Sequence, residues 1–478
     1  MSAEVKKFEI KYVHYLIVIA CVIGGQFMPQ TGPITPVGWG VLGTFIGVIW
    51  GWTFIDMIWP SIIGLVGLCY AVDTTSVMAA SFGNPVLPMI ILAFSMMVIL
   101  TETNLTEVIV RLFVSNRFAK GRPWMFVFFF LLGGFVCSQI NSFVCMIMMS
   151  GILINLCAKV GIKPFTPFPA IMLTGLALVV QTGAIMVPFR GSGITLVAAY
   201  SSVVGEMPNF LMYMAFCIPL GLFLVILYTL VCKFVFRIDV SALKEMPEDI
   251  FGAKQKMTRD QKTALFFLFF LVVMLLSTSI MPETWALSIA LKKITMFGQA
   301  AIVILVLMMT KKEDGSRMFN FSACAAKGVS WDALFMTAFI LPISGFMTDS
   351  STGIGAALSM LLQPLTKLSP ILFIIVAMVF AGLITNVANN IVLAIVILPV
   401  IVIFAGEMGL PPLGIACILF IVVQLALITA GASAFAGMAF AQSEWVAPKV
   451  MMKYALIAVI IMLPIFLLVA IPYSLILF

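Results

Sequence analysis

The chain has 478 residues, of which 63% are hydrophobic and 9% charged, with a mean hydropathy of +1.20 and a formal net charge of +7. Soluble globular domains carry about 25% charged residues, so this composition excludes one and leaves an all-α, multi-pass membrane protein. Its Lys and Arg residues fall in short segments between apolar runs rather than on one basic face, which excludes nucleic acid as a partner and leaves the lipid bilayer.

Basic residues precede the first apolar run, but no small-residue cleavage site follows it, so it reads as a retained helix. Apolar stretches at about 12–30, 37–54, 57–72 and 85–101 are long enough, or nearly so, to cross a hydrocarbon core of about 30 Å. From 102 to 122 the pattern changes: Leu105, Val108, Ile109, Leu112 and Phe113 recur at helical spacing among Glu107, Arg111 and Arg117, as in an interfacial arm. An uncharged hairpin follows at 124–158, then a segment at 165–200 broken near 182–193, then a span at about 209–234. After a polar linker, spans are expected at 263–281, 298–309 and 331–347. A second arm (349–367), a second uncharged hairpin (370–405), a second broken segment (413–441) and a last span (454–478) complete the chain.

The order of span, arm, uncharged hairpin, broken segment and span therefore occurs twice. Leu178-Val179-Val180-Gln181 and Ile421-Val422-Val423-Gln424 set a register between the copies. With the N-terminus in the cytoplasm, every basic residue except Lys292, Lys293, Lys367 and Arg190 falls on the cytoplasmic side, as the positive-inside rule requires. An odd number of spans then separates the hairpins, which makes the repeat inverted. The expected organisation is scaffold helices at 1–84, a first repeat at 85–235, a cytoplasmic linker at 236–261, further scaffold helices at 262–330 and a second repeat at 331–478. In all, this is about 11 transmembrane helices plus two re-entrant hairpins.

Polar residues inside the apolar runs mark the candidate site, because an unsatisfied amide in hydrocarbon costs several kcal/mol. Ser138, Gln139, Asn141 and Ser142 interrupt the first hairpin, and Thr385, Asn386, Asn389 and Asn390 the second. Asn141 and Asn386 can contact a ligand or cap the hairpin helices; helix N-termini after the tips favour an anion, and the carbonyls before them a cation. Arg190 is the one basic residue within a membrane-embedded segment. It either faces the site as a fixed cation or snorkels to the outer interface. The small residues Gly431 to Gly437, with Ser433, form its repeat counterpart, where unwound carbonyls can hold a cation or helices can pack closely. The nine cysteines lack metal or redox spacing, and the single His14 lies at a membrane boundary, so neither a metal cluster nor a histidine proton relay is expected.

The tips, Ile140-Asn141-Ser142 and Thr385-Asn386-Val387, and the order of elements resemble the divalent anion/sodium symporter (DASS) family of the ion transporter superfamily. Members carry Ser-Asn-Thr at each tip; here Ile140 and Val387 replace the outer hydroxyls. The resemblance implies a homodimer in the plasma membrane and alternating-access transport of di- or tricarboxylates, coupled to Na⁺ or by anion exchange. It implies substrate contacts at Asn141, Ser142, Asn386 and the Val387 backbone, joined by Arg190 and Ser433, and Na⁺ sites at Ser138, Asn141 and Gly183 and at Thr385, Asn386 and Gly431. No cofactor other than a coupling ion is expected. An inorganic or monovalent anion carrier is the alternative, and an intramembrane enzyme or a channel a remote one. No nucleotide-binding motif is visible.

Overall fold

A computed structural model describes residues 3–114, 121–245, 256–282, 284–362 and 369–478. Arg117, Lys120, Lys254 and Lys367, which enter the charge count, lie outside the described residues. Among the described residues the chain is helical, with two isolated bridges and no strand. Seven helices are long and apolar enough to cross a membrane, or nine if two sharply bent pairs each count as one span.

Four helices open the chain: α1 (Ala3–Gln26), α2 (Pro36–Phe54), α3 (Ile58–Ala71) and α4 (Thr74–Ala80). Thr35 caps α2 ahead of Pro36, and Asp73 caps α4 by accepting the Ser76 N–H at 2.8 Å. His14 packs here, stacked on Phe54 with ring centroids 4.8 Å apart and accepting the Trp50 indole N–H at Nδ1. The first repeat comprises α5 (Val86–Glu102), α6 (Leu105–Val114), α7 (Pro123–Lys159), α8 (Pro167–Gly183), α9 (Gly191–Val204) and α10 (Phe210–Leu230). Between the repeats lie α11 (Arg259–Ile280), α12 (Ala286–Met308) and α13 (Phe321–Gly328). The second repeat comprises α14 (Trp331–Thr348), α15 (Ile354–Leu362), α16 (Pro370–Ile384), α17 (Asn390–Glu407), α18 (Pro412–Val422), α19 (Ala434–Phe440) and α20 (Pro448–Leu477).

The arms bend where the sequence changes character. Asn104 adopts φ +55° between α5 and α6, which meet at 66°, and α6 carries the Glu107–Arg111 pair at 2.5 Å on its polar face while Leu105 and Val110 are buried. In the second half Gly353, at φ +69°, precedes α15; the last part of the second arm expected at 349–367 lies outside the described residues.

Both hairpins fold back on themselves. α7 is helical on either side of Asn141, whose φ −154° and ψ 105° break the run. Across that break the Cys145 thiol reaches the Gly134 carbonyl at 3.5 Å, whereas eleven residues of straight helix would separate them by roughly 16 Å. In the second hairpin the rings of Phe373 on α16 and Phe404 on α17 lie 5.6 Å apart.

The two halves run from a shared polar rim. Glu102, the last residue of α5, pairs with Lys327 at 3.0 Å and Lys312 at 3.9 Å, and Lys327 lies in the last turn of α13, which turns through 80° into α14. The C-terminal end of α5 and the N-terminal end of α14 therefore sit together, the chain running into the rim along α5 and out of it along α14. α8 and α18 form the centre of the molecule: every residue from Phe168 to Arg190 and from Gly414 to Leu427 is buried.

Three differences from the sequence expectation stand out. Both α4 and α13 are short helices where loops were expected. The span expected at 298–309 begins earlier, at Ala286, and is broken at Thr295 (φ +57°). Exposed Lys292 and Lys293 precede that break and hide the first part of the helix from a hydropathy reading.

Candidate functional site

The two hairpin tips meet the unwound middles of the two broken segments, residues 184–190 and 426–433. At the first tip, Asn141 closes its own helix, its Oδ1 accepting the Val144 N–H at 3.1 Å, and its Nδ2 donates to Thr101 Oγ1 at 3.2 Å on α5. Ser142 Oγ donates to the Ser138 carbonyl at 2.8 Å, and Ser138 Oγ to the Phe135 carbonyl at 2.8 Å. Gly183 presses directly on this turn, because a Cβ there would lie 2.1 Å from Ser138 Oγ and 2.5 Å from the Phe135 carbonyl. Gly183→Ala must therefore push α8 off the hairpin. Overpacking of this kind costs about 1–3 kcal/mol, so we expect a lower thermal midpoint for the purified variant and slowed uptake; an unchanged midpoint would contradict the contact.

The second tip is tied more heavily. Asn386, 3% exposed, accepts the N–H groups of Leu427 and Ile428 at 2.9 Å each and donates to the Gly382 carbonyl at 2.9 Å, while Thr429 Oγ1 donates to its backbone carbonyl at 2.8 Å. Thr385 Oγ1 donates to the Val423 carbonyl at 2.9 Å. The cap of α17 is Asn389, not Asn386: its Oδ1 accepts from Ile391 and Val392 at 3.1 and 3.2 Å. Val387 is 83% exposed at the apex, and Gly431 faces open space with its Cβ direction unobstructed.

The halves are joined by a buried chain of amides. Asn390 Nδ2 donates to Gln424 Oε1 at 2.9 Å, Gln424 Nε2 to the Phe420 carbonyl at 2.9 Å, and Gln181 Nε2 to the carbonyls of Gln424 and Ala426. Gln181 and Gln424 are the residues that close the matched tetrapeptides, so the register read from sequence marks where the broken segments cross. Phe143, just past the first tip, adds a contact to Phe435 on α19 with ring centroids 5.1 Å apart.

Arg190 and Ser433 occupy equivalent places. The same sequence distance separates them from Gln181 and Gln424, and each is the N-cap of the helix that follows, with φ −156°, ψ 164° and φ −154°, ψ 158° respectively. Their side chains act differently. Ser433 Oγ accepts the Ala436 N–H and donates to the Ala426 carbonyl, each at 3.1 Å. Arg190 makes no cap bond; it is 8% exposed and its guanidinium donates to the Ile140 carbonyl at the first tip. It thus lies against the hairpin tip, not at an outer interface. No carboxylate among the described residues lies within salt-bridge distance of it.

Arg190, Asn141 and Ser142 are brought together at the first tip, and Thr385, Asn386 and Ser433 around the second unwound segment. Ser138 and Gly183 are packed against one another. Sequence reasoning missed Thr101 and the Phe143–Phe435 pair, neither of which has a local signal; it placed a helix N-terminus at Asn389 but offered the cap to Asn386.

The described chain is helical, with two folded-back hairpins whose tips meet the unwound middles of two broken segments, an arrangement that membrane carriers use. A family model described as citrate transporter, CitMHS, matches residues 45–421, and the chain belongs to this family, part of the ion transporter superfamily. Its members are transporters, so the chain is a multi-pass membrane transporter and not an enzyme. No curated protein matches the chain.

Proposed function

We propose that the chain is a secondary active transporter of citrate and related di- and tricarboxylates, working by alternating access. The family's description as citrate transporters supports organic anions as cargo. The observation that carries the reading is Arg190, a buried guanidinium at the hairpin tip with no carboxylate beside it among the described residues. A charge in that position is costly unless a partner arrives, and a carboxylate is the partner its planar donors fit bidentately.

In this reading the hairpins and broken helices move together, held by the Asn390–Gln424–Gln181 chain, relative to a scaffold of the early helices of each half in a homodimer. The tips work as in the divalent anion/sodium symporters, with one change. Arg190 supplies a fixed positive charge at the Ile140 carbonyl, so the first half needs no coupling cation, and any Na⁺ is held in the second half by the backbone around Thr385, Asn386 and Gly431. The protein sits in the plasma membrane with a cytoplasmic N-terminus.

The test is labelled citrate uptake into proteoliposomes, with and without an inward Na⁺ gradient and with and without internal citrate. Uptake that requires internal anion alone identifies an exchanger, and accumulation on the gradient a symporter. Uptake of phosphate or chloride in place of citrate would overturn the carboxylate assignment.

A further inference from the structure

Away from the tips, one corner of the molecule gathers cations that transport does not use. The start of α7, the end of α10 and the start of α20 lie together there, and α10 and α20 are each long and apolar enough to cross a membrane. Lys233, at the end of α10, holds its Nζ 5.8 Å from the centre of the Trp124 ring on α7 and 5.4 Å from that of Phe234. Lys453, on α20, holds its Nζ 5.8 Å from the centre of the Tyr454 ring, and Tyr454 meets Phe236 edge-on with centroids 5.1 Å apart. Ring faces at these distances attract a cation but leave its charge in place. Neither lysine forms an ion pair among the described residues, and Asp239, the acid nearest to Lys233 in sequence, accepts the Ser241 N–H at 2.9 Å instead.

The backbone is also unusual here. The last turn of α10 widens at Val231–Val235, where the Phe236 N–H donates to the Val231 carbonyl five residues back at 2.9 Å. Arg237 follows at φ +47°, in the left-handed region, with its Nε–H on the Phe234 carbonyl at 3.4 Å. Widened turns and left-handed bulky residues are both uncommon and both concentrate at functional sites. Together they bring Lys233, Phe236 and Arg237 into one turn. From this corner an exposed apolar stripe runs along each spanning helix at four-residue spacing: Leu222, Ile226 and Leu230 on α10, and Met452, Leu456 and Ile460 on α20. The two helices stay paired to their other ends, where the Tyr473 hydroxyl donates to the Ala215 carbonyl at 2.8 Å.

We propose that this corner is a binding site for an anionic phospholipid. Lys233, Arg237 and Lys453 take the phosphodiester, and the acyl chains lie along the stripes of α10 and α20. Charge decides the lipid class: a zwitterionic headgroup brings a cation of its own to a cluster that already holds three, whereas a headgroup of net negative charge meets only attraction. The stripes supply the apolar half of the contacts, which a free phosphate cannot use.

The test needs no cargo. Thermal midpoints of the full-length protein in an uncharged detergent are read against increasing dioctanoyl phosphatidylglycerol, dioctanoyl phosphatidylcholine or glycerol 3-phosphate. The proteins are wild type, Lys233→Gln/Lys453→Gln, and a charge-matched control, Lys163→Gln/Lys293→Gln, whose lysines are exposed elsewhere. Phosphatidylglycerol is expected to raise the wild-type midpoint to a plateau that the other two ligands do not reach. Two basic residues beside an anionic headgroup are together worth roughly thirtyfold in affinity, so Lys233→Gln/Lys453→Gln should need about thirty times more of that lipid for half the rise, while the control follows wild type. An equal rise with phosphatidylcholine would leave only an apolar surface, and an equal rise with glycerol 3-phosphate a site for a soluble anion. An equal loss in the control would reduce the attraction to overall charge. Each of these overturns the proposal. Native mass spectrometry of wild type gives a reading that holds even if the double variant does not fold: phosphatidylglycerol retained no better than phosphatidylcholine overturns it too. So does cross-linking of Ile460→Cys into a dimer that wild type does not form, because a second copy would then occupy this face.

Discussion

Arg190→Met is expected to abolish citrate uptake while leaving the protein as stable as wild type or more so. The two effects have one cause. The guanidinium is buried with a single hydrogen bond, to the Ile140 carbonyl, and no carboxylate among the described residues offsets its desolvation. Exchanging a buried charge for an apolar side chain of similar length is often neutral or stabilising by about 1–4 kcal/mol. The substrate carboxylate, in contrast, loses the cation that compensates its own transfer out of water. Removing one partner of a buried ion pair costs about 3–5 kcal/mol, which is a loss of more than a hundredfold in affinity. Arg190→Lys should recover little of this, because an ammonium cannot donate from one plane to the tip carbonyl and a carboxylate together. Proteoliposome uptake and thermal denaturation of the same purified variants check both halves. An inactive variant with a collapsed midpoint would make Arg190 a structural residue.

Asn386→Ala is expected to be the most destabilising change at either tip. It strands the buried N–H groups of Leu427 and Ile428 and removes the bond to the Gly382 carbonyl. A buried donor left unsatisfied costs about 1–3 kcal/mol, so two of them make a loss of several kcal/mol, a large part of the stability of a typical domain. The corresponding change in the first half, Asn141→Ala, removes one cap bond and one bond to Thr101 at a half-buried position, for about 1 kcal/mol. The thermal midpoints should rank in that order. Equal midpoints for Asn141→Ala and Asn386→Ala would mean that the second tip is not held as described.

The class, the hairpins and the broken segments were legible in the sequence because they rest on local properties. Long uncharged runs, the Asn residues that interrupt them and the glycine-rich breaks are visible without any tertiary contact, and they mark the hairpins, the broken segments and their order. The matched tetrapeptides even marked the crossing, through Gln181 and Gln424. What was not legible depends on pairing across the fold. Asn141 and Asn386 look alike in sequence, yet one caps a helix and the other binds the backbone of a segment some forty residues on. Arg190 was equally compatible with the site and with an interface until the Ile140 carbonyl appeared beside it. α4, α13 and the first part of α12 escaped for a simpler reason, being short or carrying lysines that dilute the apolar signal.

Citrate counterflow tests directly, and without any assumption about coupling, whether a carboxylate-bearing substrate crosses the membrane through this site. Proteoliposomes holding the purified protein are loaded with unlabelled citrate and diluted into a trace of labelled citrate. A carboxylate carrier working through Arg190 gives a transient accumulation of label that external succinate or malate suppresses, that phosphate and chloride leave intact, and that is missing with Arg190→Met. Counterflow at wild-type rate in the Arg190→Met protein, or its absence in the wild type, would mean that the substrate does not cross at this site.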